Sequence, residues 1–295
     1  MTKFKCGKVV LIGEPNVGKS SIVNHIVGEN VSLIADLPGT TQRAIRGVKT
    51  TNDFQLIFLD TPGMHASVNQ LHKYSQKSIS HALAEADAIL YVLDATLILA
   101  EHIEKIKNYE SKDKPVIIAV NKSDKSSFQK LYPKLEELNK LDFVRDIIPV
   151  SAKVGTNMDT LERKLVELLP EGNPVFGEDH FTDQSLRQMA EEIIRGELLK
   201  LLEREIPHGL AVKIIEWKEG RREIDITAEI YCDKPSHKPI IIGHKGKNLK
   251  LVGEAARAEI RKIATRHVRL FTRVLVREGW RDKSSKLQEF GFTHN

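Results

Sequence analysis

The 295-residue chain has only two cysteines, Cys6 and Cys232, far apart and with no metal-ligand pattern around either. That excludes a disulfide framework and a cysteine-ligated metal site. It fits buried, inert thiols in a reducing compartment. Long apolar runs are also missing. Near the N-terminus three early lysines precede only Val9-Val10-Leu11-Ile12, too short for the core of a signal peptide. The stretch from Ala88 to Ala100 is broken by Asp94, so no membrane-spanning segment is expected. A cytoplasmic protein is expected.

Acid is scarce in one region. From Lys234 to Lys286 there are 15 basic residues against 4 acidic ones. From Lys200 onward the net charge is +8 and before it −3, within a total of +5. Such asymmetry points to an anionic partner for the C-terminal part, nucleic acid first and a membrane surface second. A solvated basic surface is the plain alternative. The length allows roughly two domains, and 41% apolar residues suffice for real cores.

The most informative stretch is Gly13-Glu14-Pro15-Asn16-Val17-Gly18-Lys19-Ser20, which reads G-x-x-x-x-G-K-S. A short apolar strand pattern precedes it. Ile22, Val23 and Ile26 follow at helical spacing. Strand, glycine loop and helix are the context a phosphate-binding loop requires. Backbone N–H groups and a helix N-terminus then face phosphate. Lys19 is expected to reach the β and γ phosphates, and the Ser20 hydroxyl to bind Mg²⁺.

Asp36 to Gly47 is polar and contains Thr40-Thr41-Gln42-Arg43. A mobile loop is expected, with Thr41 as a further Mg²⁺ ligand when a γ phosphate is present. Phe54 to Leu59 reads as a strand that ends in Asp60-Thr61-Pro62-Gly63. An aspartate there is placed to hold Mg²⁺, and the Gly63 N–H to meet a γ phosphate. Helices are expected over 75–86, 101–109 and 160–169, buried strands over 89–93 and 116–120, and a strand over 147–150.

The 116–120 strand runs into Asn121-Lys122-Ser123-Asp124. A carboxylate at Asp124 can accept from guanine N1–H and the 2-amino group; adenine would leave it unpaired. Asn121 suits the purine N7 edge, and the Lys122 stem suits the base plane. Ser151-Ala152-Lys153 stands at the next strand end, where its backbone can face guanine O6. Strands alternate with helices and the motifs sit at strand C-terminal ends, the doubly wound arrangement.

Leu169 to Gly177 carries prolines and glycines and marks a boundary. A helix over 185–204 follows, then a hairpin of strands at 210–214 and 224–230 with Arg221 and Arg222 in the turn. Ile240-Ile241-Ile242-Gly243-His244-Lys245-Gly246-Lys247 comes next, ahead of an amphipathic helix with Leu249, Val252, Ala256, Ile260 and Ile263 on one face. A last strand from His267 to Arg277 places Arg269, Arg273 and Arg277 on one face with Phe271 and Leu275. These arginines track RNA backbone or form a solvated face; both readings stand. The G-x-x-G loop inside a basic region resembles a KH RNA-binding module. Its RNA contacts are expected from Ile242, Gly243, His244, Lys245, Gly246 and Lys247.

The nucleotide motifs together resemble the translation-factor class of GTPases. With the KH pattern, and with the ending Val-Arg-Glu-Gly-Trp-Arg-Asp-Lys, nearly the whole chain resembles the bacterial Era GTPases. Two stretches depart from that pattern. Thr40-Thr41-Gln42-Arg43 differs from the family's Thr-Thr-Arg, and Cys232 to Lys238 is divergent. The resemblance implies an α/β fold: a doubly wound P-loop sheet (1–172), a linker (173–182) and a smaller α+β type II KH domain (183–295).

It also implies a monomeric, GTP-hydrolysing switch that binds GTP, GDP and Mg²⁺. It implies binding to the 3′ end of small-subunit (16S) ribosomal RNA and a role in maturation of the 30S subunit, with peripheral contact at the membrane. After Gly63 stands Met64, where Ras-like proteins place a water-orienting glutamine. A thioether orients water poorly, so slow hydrolysis is expected. Asn16 resembles the asparagine linked to K⁺-dependent activity in related GTPases, or else simply shapes its loop. The catalytic set expected is Lys19, Asn16, Thr41 and Gly63. The rival readings are an RNA-binding assembly protein with a barely hydrolysing pocket, and a membrane-surface GTPase.

Overall fold

A computed structural model describes residues 3–29, 45–61, 70–110, 113–202 and 209–290. They fall into two compact units: the described residues up to 183 make the first, except 70–74 at the start of α2, which group with 184–290 in the second. In the first unit the elements run β1 (Lys5–Ile12), α1 (Lys19–Val27), β2 (Ile45–Thr50), β3 (Phe54–Asp60), α2 (Gln70–Glu85), β4 (Ala88–Asp94) and α3 (Ala100–Lys107). They continue with β5 (Val116–Asn121), α4 (Phe128–Leu138), β6 (Val144–Pro149) and α5 (Met158–Leu168). The sheet order is β2-β3-β1-β4-β5-β6, and every pair is parallel except β2–β3.

Strands covered on both faces read as unbroken apolar runs, and β4 and β5 do up to their last residue, as does β1 from Val9 onward. Their side chains feed two cores. One packs against α1 and α5 through Val23, Ile26, Leu161 and Leu165. The other packs against α2, α3 and α4 through Ile79, Ile106, Leu131 and Leu138. The direction of winding reverses at β1, which lies between β3 and β4. A crevice outside the strand ends is expected at such a point.

The edge strand β2 has no counterpart in the sequence pattern. Its first residues, 45–47, fall within the stretch that reads as a loop, where Arg46 and Gly47 break the apolar pattern. Antiparallel pairing with β3 draws them into the sheet. The chain after α5 also stays on the first unit. The Phe181 carbonyl accepts from the Val48 N–H. Gln55, fully buried in β3, uses both ends of its amide: the oxygen accepts from Val175 and Phe176 N–H, and the nitrogen donates to the Phe176 carbonyl and to Thr50. Helix α4 is hidden in the sequence because Pro133 lies inside it and deletes one helical hydrogen bond.

The second unit runs α6 (Leu186–Leu201), β7 (Leu210–Glu219), β8 (Glu223–Cys232), α7 (His237–Ile242), α8 (Lys247–Ala264), β9 (His267–Val276) and α9 (Ser284–Glu289). Ser185 and Gln188 form a capping box that fixes the start of α6. Strand β8 is central, antiparallel to β7 and parallel to β9. Alternation along β8 sends Ile224, Ile226, Ala228 and Ile230 into one core with α6 and α8. On the opposite face Trp280, Leu287 and Phe290 close over Ala211 and Tyr231. Trp280 is fully buried, and its indole N–H donates to the Gly209 carbonyl at 3.1 Å. Among the described residues no helix is long and apolar enough to cross a membrane.

Candidate functional site

The phosphate loop turns from β1 into α1 through residues that need left-handed backbone: Asn16 at φ 62° and Gly18 at φ 96°. A Cβ on Gly18 would lie 2.2 Å from the Asn121 amide nitrogen. Only glycine lets the loop approach so closely. Val17 anchors the loop in the core at 2% exposure. The side chain of Lys19 folds back under the loop, and its ammonium donates to the Gly13 and Glu14 carbonyls at 3.0 Å each. Burial pulls its pKa down to about 8, against the raising effect of Asp60 and Glu14.

At the end of β3 the Ser20 hydroxyl donates to Asp60 Oδ2 at 2.7 Å, with Asp60 fully buried. The Thr61 hydroxyl donates to the Leu11 carbonyl at 2.7 Å. That bond ties the β3 end to the β1 end, directly behind the loop. An alcohol and a carboxylate at this separation form a hard-oxygen pair, the donor type that suits magnesium. Pro62, Gly63, Met64, Thr40 and Thr41 lie outside the described residues.

The other strand ends meet the loop from the side. Asn121, 3% exposed, donates from Nδ2 to the Val17 carbonyl at 2.8 Å. Its Oδ1 accepts from the Ala152 N–H at 3.1 Å. One amide thus joins the phosphate loop, the β5 end and the Ser151-Ala152-Lys153 turn. Lys122 has φ 61° and pairs with Asp94 at 2.7 Å. Burial works to raise the Asp94 carboxyl, but Lys122 and Thr96 outweigh it and hold it below the usual range. The Ser151 hydroxyl donates to Asp124 Oδ1 at 2.6 Å. The Ser123 N–H donates to the Val150 carbonyl at 3.0 Å. So Gly13 to Ser20, Asp60, Thr61, Asn121 to Asp124 and Ser151 to Lys153 come together at one edge of the sheet. The link through Asn121 has no signal in the sequence, because nothing there pairs residue 121 with residues 17 and 152.

In the second unit the G-x-x-G residues join α7 to α8. Gly243 has φ 74°, and a Cβ there would meet Asn248 at 2.6 Å. Asn248 Nδ2 donates to the Ile240 carbonyl at 2.9 Å and so braces the loop from behind. His244, Lys245 and Lys247 are exposed, while Ile242 is half-buried against the core. Lys245 has φ 49°, which turns its side chain away from the regular helical path. The arrangement offers cations and close backbone to a phosphodiester chain. The β9 arginines Arg269 and Arg273 are already engaged, Arg269 with Asp225 and Glu223, and Arg273 with Glu229.

The chain matches the family model described as 50S ribosome-binding GTPase over residues 8–122. It matches that of the KH domain over 205–281. GTPase Era of Alkaliphilus oremlandii (strain OhILAs) is 39% identical over 292 residues, covering 98% of this chain and 99% of that one. The corresponding protein of Clostridium novyi (strain NT) is 38% identical over 291 residues, with 98% and 99% covered. Among solved structures, Era in complex with MgGDPNP and nucleotides 1506–1542 of 16S ribosomal RNA superposes with a TM-score of 0.95. It has 38% identity, with 99% of this chain and 100% of that one covered. A variant of Aquifex aeolicus Era bound to GDP.AlF4⁻ gives a TM-score of 0.94, also at 38% identity and the same coverage.

Proposed function

The chain belongs to the Era GTPase family, and we propose that it couples GTP binding in its first domain to binding of the 16S ribosomal RNA 3′ end by its KH domain. The observation that carries the nucleotide half of this reading is the Asn121 amide, bonded at once to the phosphate loop and to Ala152. It ties the phosphate end of the site to its base end. The Era relatives were solved with MgGDPNP and RNA and with GDP.AlF4⁻. GTP, GDP and Mg²⁺ are accordingly the cofactors proposed here.

In this reading loop N–H groups from Gly13 to Ser20 cradle the phosphates. Lys19 exchanges its two carbonyl partners for phosphate oxygens, regaining charge partners that suit a buried ammonium. Ser20 and Asp60 would hold Mg²⁺, which when bound neutralises phosphate charge. Asp124 reads the guanine edge, with Ser151 fixing its rotamer. The Lys122 stem lies along the base, and the Ala152 and Lys153 backbone faces O6. Gly63 and Thr41 meet the γ phosphate. Asn16 would hold K⁺, whose charge would speed an otherwise slow hydrolysis. On the RNA side Ile242 to Lys247 clamp about four nucleotides. The protein acts as a cytoplasmic monomer on the 30S subunit, with its basic surface available to the inner membrane face.

The test is RNA affinity at one fixed salt concentration, with a non-hydrolysable GTP analogue and with GDP, on a short single strand from the 16S 3′ end. Tighter binding with the analogue is expected, and the ratio gives the coupling free energy. Equal affinities would refute the coupling.

A further inference from the structure

The second residue of the phosphate loop is a carboxylate. Glu14 gives its backbone carbonyl to Lys19, yet its side chain turns outward to α3. There the Lys105 ammonium donates to Glu14 Oε1, and His102 Nδ1 stands 3.6 Å from the same oxygen. The His102 side chain is 5% exposed, and its Nδ1 has no hydrogen-bond partner among the described residues. Glu14 stands in the loop itself, its backbone carbonyl 3.0 Å from the buried Lys19 ammonium. A carboxylate on a phosphate-binding loop repels bound phosphate, more strongly as the nucleotide's charge grows.

We propose that Lys105 is a positioning residue, with His102 behind it, that holds and neutralises the Glu14 carboxylate so that the phosphate loop binds a triphosphate more tightly. The α3 face therefore sets how strongly the loop prefers GTP over less charged nucleotides. This rests on the nucleotide reading above and deepens it.

The test is a double-mutant cycle on the full chain. Affinities for a non-hydrolysable GTP analogue, GDP and GMP are measured at low salt for wild type, Lys105→Ala, Glu14→Gln and the double variant. For Lys105→Ala the analogue should bind about fivefold more weakly, GDP less affected and GMP scarcely, as expected for one partly exposed charge. In the Glu14→Gln background the same change should have no effect. A Lys105→Ala loss that persists in that background would mean that Lys105 attracts nucleotide directly, overturning the proposal. Equal losses for all three nucleotides would mean a structural role and overturn it too, as would no loss at all. Lys105→Gln serves as a second variant, with melting temperature checked for each. Absent nucleotide binding by the wild type would instead fail the functional reading.

Discussion

Lys19 and Lys245 are both lysines in glycine loops that lead into a helix, yet they are held in opposite ways. Lys19 is 6% exposed, hydrogen-bonded to two carbonyls, and depressed to a pKa of about 8 by burial. Lys245 is exposed, on a left-handed backbone at φ 49°. The first has its ammonium fixed in place by two backbone acceptors, as suits the proposed nucleotide site. The second has its ammonium in solvent, as suits the proposed contact with a phosphate chain. A buried, prepaired site selects by geometry, because a wrong ligand leaves a desolvated group unpaired. An exposed cationic loop gains from counterion release, so its affinity follows salt.

The sharpest way to test the geometric half is Asp124→Asn. The carboxamide offers a donor where guanine presents donors, and it matches the C2 carbonyl of xanthine. The ratio of GTP to XTP affinity should fall by up to about 10⁴-fold, the scale set by leaving a buried polar group unpaired. Competition binding with a fluorescent nucleotide measures it. An unchanged ratio would remove Asp124 from base reading and break the claim that this site selects by fit.

The electrostatic half is tested by His244→Asp with Lys245→Asp. Affinity for the 16S 3′-end strand should fall about 10- to 100-fold, and the slope of log affinity against log salt should flatten by roughly 0.7 for each phosphate no longer neutralised. Guanine-nucleotide affinity should not move. A fall in affinity with an unchanged slope would show that the loop acts by shape, as the nucleotide site does.

The difference between the halves also governs what the sequence reveals. Buried parallel strands announce themselves as apolar runs, and the G-x-x-x-x-G-K-S and N-K-x-D segments are contiguous. Most of the first domain's fold, and the segments that gather at its strand ends, are therefore readable. Pairings across the chain are not. Asn121 with Val17 and Ala152, and Gln55 with residues 175 and 176, are fixed only by folding. Strand β2 escapes notice because Arg46 and Gly47 interrupt its pattern, and α4 because of Pro133. The cover formed by Trp280, Leu287 and Phe290 escapes because its apolar residues are sparse and gain meaning only against Ala211 and Tyr231.

The smallest expected effect concerns the outer face of β9, where the sequence allows two readings for the arginines. The parallel register sets Asp225 opposite Arg269 and Glu229 opposite Arg273. Arg269 donates from Nε to Asp225 Oδ1 at 2.6 Å and from Nη2 to Oδ2 at 2.5 Å, and Glu223 lies 3.2 Å away. The Arg269 bond is the first cause holding the Asp225 carboxyl below its usual range. A guanidinium with two acidic neighbours has little charge left for a phosphate, which places it with the solvated face. Exposed pairs of this kind stabilise weakly. Arg269→Gln should therefore shift the melting temperature by less than about 2 °C. RNA affinity at fixed salt should stay within about twofold of wild type, because Arg269 neutralises no phosphate. A tenfold loss of RNA affinity would show that RNA displaces Asp225 and Glu223. The basic surface would then extend from the G-x-x-G loop onto β9, and the contrast with the prepaired nucleotide site would narrow to the loop alone.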